Sequence, residues 1–543
     1  MGLLLLLIAI AAFIAAYFTY GKWIRKKLGI SDKFRTPAHT KKDGVDFFPA
    51  KRYILLGHHF ASIAGVGPIV GPIVGAKFGW LPVFLWIIIG NIFIGAVHDF
   101  TSLVASIRHQ GRTIGGVMED YLGKTGKKVF LVFAWFTLVL VIAVFGIVIA
   151  NTLVKTPAAG TSSGLFILLA VLVGYLLYVK KVPIIPLTIT GVVLLFGAIA
   201  AGLAWPLSLS YNTWIIILLA YIFIASVTPV WILLQPRDYL NSFILYVILL
   251  VGVLGVVFYR PEIKADAFTG FFDKDLGWLF PILFVTVACG AVSGFHSIVA
   301  SGTTARQIDK ESDSQFIGYG GMLLEGVLGV LALITAIMLA KNDFSVAVGN
   351  PGAVFASGFG LLASKIGLPE ETVTTFAALG ISAFALTTLD TATRLGRYTF
   401  QEFFEGSKGR AAKIAGGRAV STIITVGAAS LLIFNKGGTM SIWPLFGSAN
   451  QMLASLALLT VTAYLAHKSI KNTFVKIPMV FMFIVTISAM GVLVQQNFIK
   501  HNYPLVVIAV ILFFTAAYIV YAAFRPGECS GRGKPAKKIK KRK

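Results

Sequence analysis

Charge is the scarcest property of this sequence. Asp, Glu, Lys and Arg make up 13% of 543 residues, against about 25% in a soluble domain. What is left forms long apolar blocks, and blocks of about 18 or more match the ~30 Å of hydrocarbon in a bilayer. A soluble globular chain is thereby excluded. Cysteine is nearly absent too: Cys289 sits inside an apolar block and Cys529 in a basic tail, which rules out a disulfide framework. Acidic residues are few, 22 against 47 Lys and Arg. On a soluble protein that excess would suggest nucleic acid. Here ten of the basic residues lie in 22–52, nine in 525–543 and most others between apolar blocks. They read as topology determinants and contacts for anionic lipids, and no nucleic-acid partner is expected. The first block, Gly2–Tyr20, lacks a basic segment before it and has Lys22, Arg25, Lys26 and Lys27 after it, which predicts an N-outside anchor rather than a cleaved signal peptide.

The apolar blocks predict an all-α polytopic membrane protein of about fifteen spans: 3–21, 54–76, 80–106, 129–151, 163–179, 184–203, 213–234, 239–258, 278–300, 317–340, 373–392, 419–435, 443–466, 477–495 and 503–523. With the N-terminus outside, segments on the cytoplasmic side hold 38 Lys and Arg and the other side holds 9. Basic loops resist translocation, so this asymmetry supports the orientation and a cytoplasmic C-terminus. Four regions are expected: an anchor and basic loop (1–53), a transport core (54–395), a group of four spans (396–524) and a basic tail (525–543).

The densest local signal is Gly57–Pro72, which holds His58, His59, Gly65, Gly67, Pro68, Gly71 and Pro72. Each proline removes a backbone donor, and lipid tolerates freed backbone groups only where protein or a cavity shields them. A discontinuous helix at a binding site meets that condition; a kinked, closely packed helix is the alternative. Five spans later Ser226, Thr228 and Pro229 precede Gln235-Pro236-Arg237-Asp238. An odd offset reverses direction through the membrane, so the pair predicts a five-plus-five inverted repeat with broken helices. In the ninth span Ser293, Ser297 and Ser301 recur at helical spacing. Packing through small residues and a cation or substrate site both fit them.

Ionisable groups inside membrane spans are functional candidates. They are His58, His59, His98, Asp99, His296, Glu325 and Asp390, and they suit proton coupling because histidine titrates near neutrality. For Asp390 an ion pair with Arg394 or Arg397 at the membrane edge competes with that role. Polar candidates for substrate contact are Gly65, Gly67, Ser226, Thr228, Ser297, Thr387, Thr388 and Asn450. The histidines and Asp99 lack metal-motif spacing, and no cofactor is expected. Leu122-Gly123-Lys124-Thr125 imitates the end of a phosphate-binding loop, but the earlier glycine falls at Met118 and no parallel-sheet domain surrounds it.

Gly57–Pro72, Gly95–Phe100, Gly290–Arg306, Asp390–Phe404 and Trp443–Gln451 resemble the carbon starvation protein A family of transporters. The resemblance implies uptake of peptides during carbon starvation, or proton-coupled uptake of pyruvate. It also implies kinship to the amino acid–polyamine–organocation superfamily with its LeuT-type fold. The leading expectation is an importer of a small nutrient by alternating access, coupled to a proton or a sodium ion. A channel and an intramembrane enzyme are the competing readings. The first lacks a repeated filter segment, and the second lacks a nucleophile–base arrangement. Nothing in the sequence sets an oligomeric state.

Overall fold

The structure is a computed structural model that describes residues 1–43, 47–228, 233–339, 350–405, 409–434 and 438–524. Setting short turns aside, its helices are α1 (Gly2–Leu28), α2 (Arg52–Ile63), α3 (Gly67–Phe78), α4 (Trp80–Arg108), α5 (Ile114–Lys155), α6 (Pro157–Tyr178), α7 (Ile184–Ala204), α8 (Tyr211–Val227) and α9 (Leu234–Tyr259). There follow α10 (Leu279–Thr286), α11 (Phe295–Val299, running on through Ala300–Thr304), α12 (Glu311–Ile337), α13 (Pro351–Ser364), α14 (Glu370–Phe403), α15 (Arg418–Ile433), α16 (Gly438–His467), α17 (Thr473–Ile499) and α18 (Tyr503–Phe524). A two-stranded hairpin, β1 (Phe272–Asp273) and β2 (Gly277–Trp278), lies between α9 and α10.

Among the described residues eleven helices are long and apolar enough to cross a membrane, and the bent pair α2–α3, turning by 46°, makes a twelfth. The expected fifteen is not reached by that measure. Two expected spans are the short helices α8 and α15. A third, 278–300, is divided by a non-helical stretch between α10 and α11.

That division places the inverted repeat. The first set is the broken helix α2/α3, α4 with a π-helical turn at Asn91–Gly95, the long α5, the 17-residue α8 and the long α9. The second set is the broken helix α10/α11, α12 with a π-helical turn at Gln315–Tyr319, the long α14, the 16-residue α15 and the long α16. Each element has a counterpart of the same kind, in the same order. α1 precedes the first set, the hairpin α6–α7 is inserted in it, α13 is inserted in the second set between α12 and α14, and α17–α18 follow.

The second broken helix is therefore 279–304, not 225–236. Pro229, Val230 and Trp231 lie outside the described residues. On either side of them, Tyr221 and Ala225 of α8 meet Asp390 and Arg394 of α14, so α8 runs parallel to α14. In α9, Arg237 meets Asp390 while Ile244 and Ile248 face Gly380, so α9 runs antiparallel to α14. α8 and α9 are thus two opposed helices and not the two halves of one. Pro236 falls in the first turn of α9, where a missing N–H costs nothing.

Local sequence explains the other boundaries. Thr113 caps α5, its side chain accepting from the Gly116 N–H at 3.1 Å, and Ser210 caps α8 through Thr213 at 3.2 Å. Gly123 has φ +71°, a left-handed conformation that glycine adopts without strain. It kinks α5, so Leu122–Thr125 is a bend in a helix.

Candidate functional site

The two breaks meet at the centre of the fold. A Cβ on Gly67 would overlap the Cys289 side chain, and one on Gly71 would lie 2.8 Å from the Thr286 carbonyl oxygen. Only glycine allows this approach. Gly65, in the first break, faces Thr388 of α14, whose Oγ1 would be 2.6 Å from an added Cβ.

Backbone groups freed inside a membrane need partners, and the second break obtains them from other helices. Trp443 Nε1 donates to Thr286 O at 3.3 Å, Trp86 Nε1 to Val287 O at 3.0 Å and Asn91 Nδ2 to Gly290 O at 3.1 Å. On the donor side, the Gly294 N–H reaches the Asn450 backbone carbonyl at 3.0 Å, and the Phe295 N–H reaches Asn450 Oδ1 at 2.9 Å. Asn450 Nδ2 also donates to Ser293 Oγ at 3.1 Å. Asn450, expected to face substrate, thus caps α11 with both amide atoms engaged.

Beside the breaks lies a sealed acid–imidazole cluster. Asp99 on α4 accepts from His98 Nδ1 at 2.7 Å and from His296 Nδ1 at 2.8 Å. An ionised carboxylate is acceptor-only, so both imidazoles carry their proton on Nδ1. His296 Nε2 points towards Glu325 of α12, 3.3 Å from Oε2, within ion-pair distance but not aligned as a hydrogen bond. His59 Nδ1 pairs with Thr304 Oγ1 at 2.8 Å. All five ionisable side chains are fully buried. Four of the expected groups, on α4, α11 and α12, thus form one chain, with His59 of α2 at its edge. Among the described residues no three His, Cys, Asp or Glu side chains are arranged to hold a metal ion.

A second network joins α2, α8, α9 and α14. The Arg237 guanidinium pairs with Asp390, its Nη1 donates to Tyr221 Oη at 2.7 Å, and its Nη2 donates to Asp238 Oδ1 at 3.2 Å. Tyr221 Oη donates to Asp390 Oδ2 at 2.7 Å. His58 Nδ1 stands 3.7 Å from Asp238 Oδ2. Asp390 does pair with an arginine, but with Arg237, since Arg394 gives Nη2 to the carbonyls of Ala225 and Thr228 at 2.7 and 2.5 Å. Sequence reasoning passed over Arg237, Asp238 and Tyr221. The flanking Gln235-Pro236 suggested a loop, and only the start of α9 at Leu234 brings Arg237 into the interior.

A cavity of about 670 Å³ opens from the surface around Glu402, Glu405 and Lys413 and narrows to His58, Ser62 and Asp238. Its walls come from α2, α5, α11 and α14. The remaining hydroxyl candidates are tied to backbone or stand near a hydroxyl outside the candidate set: Ser297 to Gly294 O at 2.7 Å, Thr387 to Ala383 O at 3.0 Å, Thr388 to Phe384 O at 3.1 Å and Thr228 to Ile224 O at 2.7 Å. Ser226 Oγ and Thr422 Oγ1 stand 3.4 Å apart. None of these five lines the cavity, which meets Ser301 and Thr391 instead.

The pattern of the family described as carbon starvation protein CstA matches residues 1–354 and 345–489. The chain belongs to that family. It is 33% identical over 554 residues to the peptide transporter CstA of Campylobacter jejuni, covering 89% of this chain and 79% of that protein. Against the peptide transporter CstA of Bacillus subtilis the identity is 33%, over 89% and 88% of the two chains. The pyruvate/proton symporter BtsT of Escherichia coli is 31% identical, over 89% and 80%. Among solved structures, a manganese transporter of Eremococcus coleocola aligns over 89% of this chain and 98% of its own, with TM-score 0.53 and 12% identity. At that identity the likeness concerns the fold alone. This family member is a helical, LeuT-like membrane transporter in which two broken helices face each other beside two buried charge networks.

Proposed function

We propose that this CstA-family chain imports a small carboxylate-bearing nutrient, a peptide or a pyruvate-like acid, by proton symport with alternating access. One observation carries the reading: a cavity open to one side ends beside the first broken helix, at a buried network of ionisable groups. Broken helices at the centre of an inverted repeat are where secondary transporters hold substrate and coupling ions. The relatives named for peptides and for pyruvate with protons supply the substrate classes. Both classes share a carboxylate.

The membrane orientation follows from charge. The cavity mouth lies at the ends of α11 and α14, on the same side as residues 22–52. That side carries the excess of Lys and Arg, so it is the cytoplasmic one, the N-terminus is outside and the state described faces inward.

The test is uptake of labelled pyruvate and of a labelled dipeptide into the same proteoliposomes, with and without inward proton or sodium gradients. Accumulation driven by the proton gradient is expected for one of the two substrates. Uptake indifferent to that gradient would remove the symport reading.

A further inference from the structure

The network at the end of the cavity has an unequal charge count. Arg237, Asp238 and Asp390 are all buried, and two carboxylates share one guanidinium. Tyr221 contributes a neutral hydroxyl. With His58 neutral, this group of four carries a net negative charge. The nearby Arg394 gives its Nη2 to the Ala225 and Thr228 carbonyls rather than to either carboxylate. A buried charge without a partner costs several kcal/mol, so the network is complete only with one further positive charge.

The geometry also says where that charge can enter. Of the network, only His58 and Asp238 line the cavity. The His58 side chain is 15% exposed and that of Asp238 2%. His58 Nδ1 has no hydrogen-bond partner, and its 3.7 Å separation from Asp238 Oδ2 is too long for a hydrogen bond. The two groups are close enough to share a proton after a small rotation. Their charged and titratable surroundings are Tyr221 from α8, Arg237 and Tyr239 from α9, Asp390 and Arg394 from α14, His59 on α2 itself, and Arg306 on the cavity wall. His59 turns to the opposite side of α2, towards Thr304 and the sealed cluster. That cluster is fully buried and none of its members lines the cavity.

We propose that His58 and Asp238 together hold the exchangeable proton of the transport cycle, while Arg237 and Asp390 set the charge imbalance that makes the proton necessary. The proposal rests on the symport reading above, selects His58 from the seven proton-coupling candidates and adds Asp238, both at the cavity end. The proton is taken from hydronium when the site faces outward, forming one N–H or O–H bond on the imidazole or carboxylate and leaving water, and that bond breaks to return the proton to water of the cavity in the inward-facing state described; no other bond changes.

The experiment compares wild type, Asp238→Asn and His58→Gln in proteoliposomes given labelled pyruvate or a labelled dipeptide on the outside. Two rates are read in the same vesicles: accumulation driven by an inward pH gradient, and gradient-free exchange of labelled for unlabelled substrate. Asp238→Asn leaves one carboxylate for one guanidinium, so the ratio of accumulation to exchange is expected to fall to the value seen without a gradient. In His58→Gln the pH profile of accumulation is expected to shift or flatten. Should Asp238→Asn fail to reconstitute, the His58→Gln profile decides alone, and a wild-type profile overturns the assignment. Wild-type ratios in both variants, with a coupled wild-type protein, overturn it as well. A wild type indifferent to the pH gradient instead overturns the symport reading and this assignment with it.

Discussion

Replacing Gly71 by alanine tests how the two broken helices are held together. The new methyl would lie 2.8 Å from the Thr286 carbonyl oxygen and 3.2 Å from the Val287 Cα. Comfortable carbon–oxygen contact begins near 3.3 Å, and both obstacles are main chain, so no rotamer change relieves the overlap. Overpacking of this kind costs about 1–3 kcal/mol, and the gain in helix propensity returns at most about 1 kcal/mol. Gly427, in the interior of α15, has nothing within 4 Å of an added Cβ, so Gly427→Ala keeps the propensity gain alone. The two variants should shift the thermal midpoint of the detergent-solubilised protein in opposite directions. Gly75 gives a second comparison. Its Cβ would meet a side-chain atom, Val287 Cγ2, at 2.6 Å. Val287→Ala should therefore relieve Gly75→Ala, with a coupling of about 1–2 kcal/mol in a double-mutant cycle, and leave Gly71→Ala unrelieved. If Gly71→Ala and Gly427→Ala behave alike, or Val287→Ala rescues both glycines equally, the close packing of α3 on α10 is refuted.

Three further outcomes are expected. Asn450→Ala leaves the Phe295 N–H buried without its acceptor at 2.9 Å, a loss of about 1–3 kcal/mol; Asn450→Asp keeps the acceptor and should be milder in the same thermal assay. Arg237→Ala strands Asp390 and Asp238 in the interior and should cost about 3–5 kcal/mol, read as lost monodisperse protein on size exclusion; adding Asp390→Asn should recover part of it. In a Cys529→Ser background, Ser62→Cys should react with a water-soluble maleimide through the cavity while the buried Cys289 does not; equal labelling of both would contradict the cavity's extent.

The membrane class and the first broken helix were legible because their signals are local. Composition gives the first, and Gly67-Pro68 with Gly71-Pro72 gives the second. The second broken helix was not, although Cys289–Gly294 lies in plain view. It contains no proline, and its break is sustained by Trp86, Asn91, Trp443 and Asn450 from α4 and α16. Donors brought by tertiary packing leave no mark on the segment they serve. Pro236 produced the opposite error, since proline at the start of a helix looks in sequence like proline in the middle of one. Asp390 shows the same limit. Helical spacing puts Arg394 one turn away on α14, and only the antiparallel course of α9 brings Arg237 to it. Being ionisable within apolar blocks did single out His98, Asp99, His296 and Glu325 individually. Their assembly into one chain needed three helices in contact.

The state described is closed on one side for a specific reason. Above the breaks, α3 and α10 pack through Gly71, Gly75 and Val287, and two indoles hold the carbonyls of Thr286 and Val287. Below them, α2 and α11 meet where His59 Nδ1 pairs with Thr304 Oγ1 at 2.8 Å, and beside that contact both line the cavity that reaches Ser62 and Ser301. The repeat makes α2/α3 and α10/α11 counterparts of opposite direction, so closing the lower cavity and opening the upper pair would bring each half helix towards the situation its counterpart now occupies. Opening the upper side must separate Gly71 from the Thr286 carbonyl without stranding that carbonyl, and Trp443, bonded to the same oxygen at 3.3 Å, can keep it satisfied as α3 leaves. The glycine contact supplies packing without a hydrogen bond, and the indole supplies the hydrogen bond. On the alternating-access reading proposed above, α3 would leave α10 at the expense of dispersion contacts, whereas parting α11 from Asn450 would break hydrogen bonds, so the α3–α10 contact is the one expected to open.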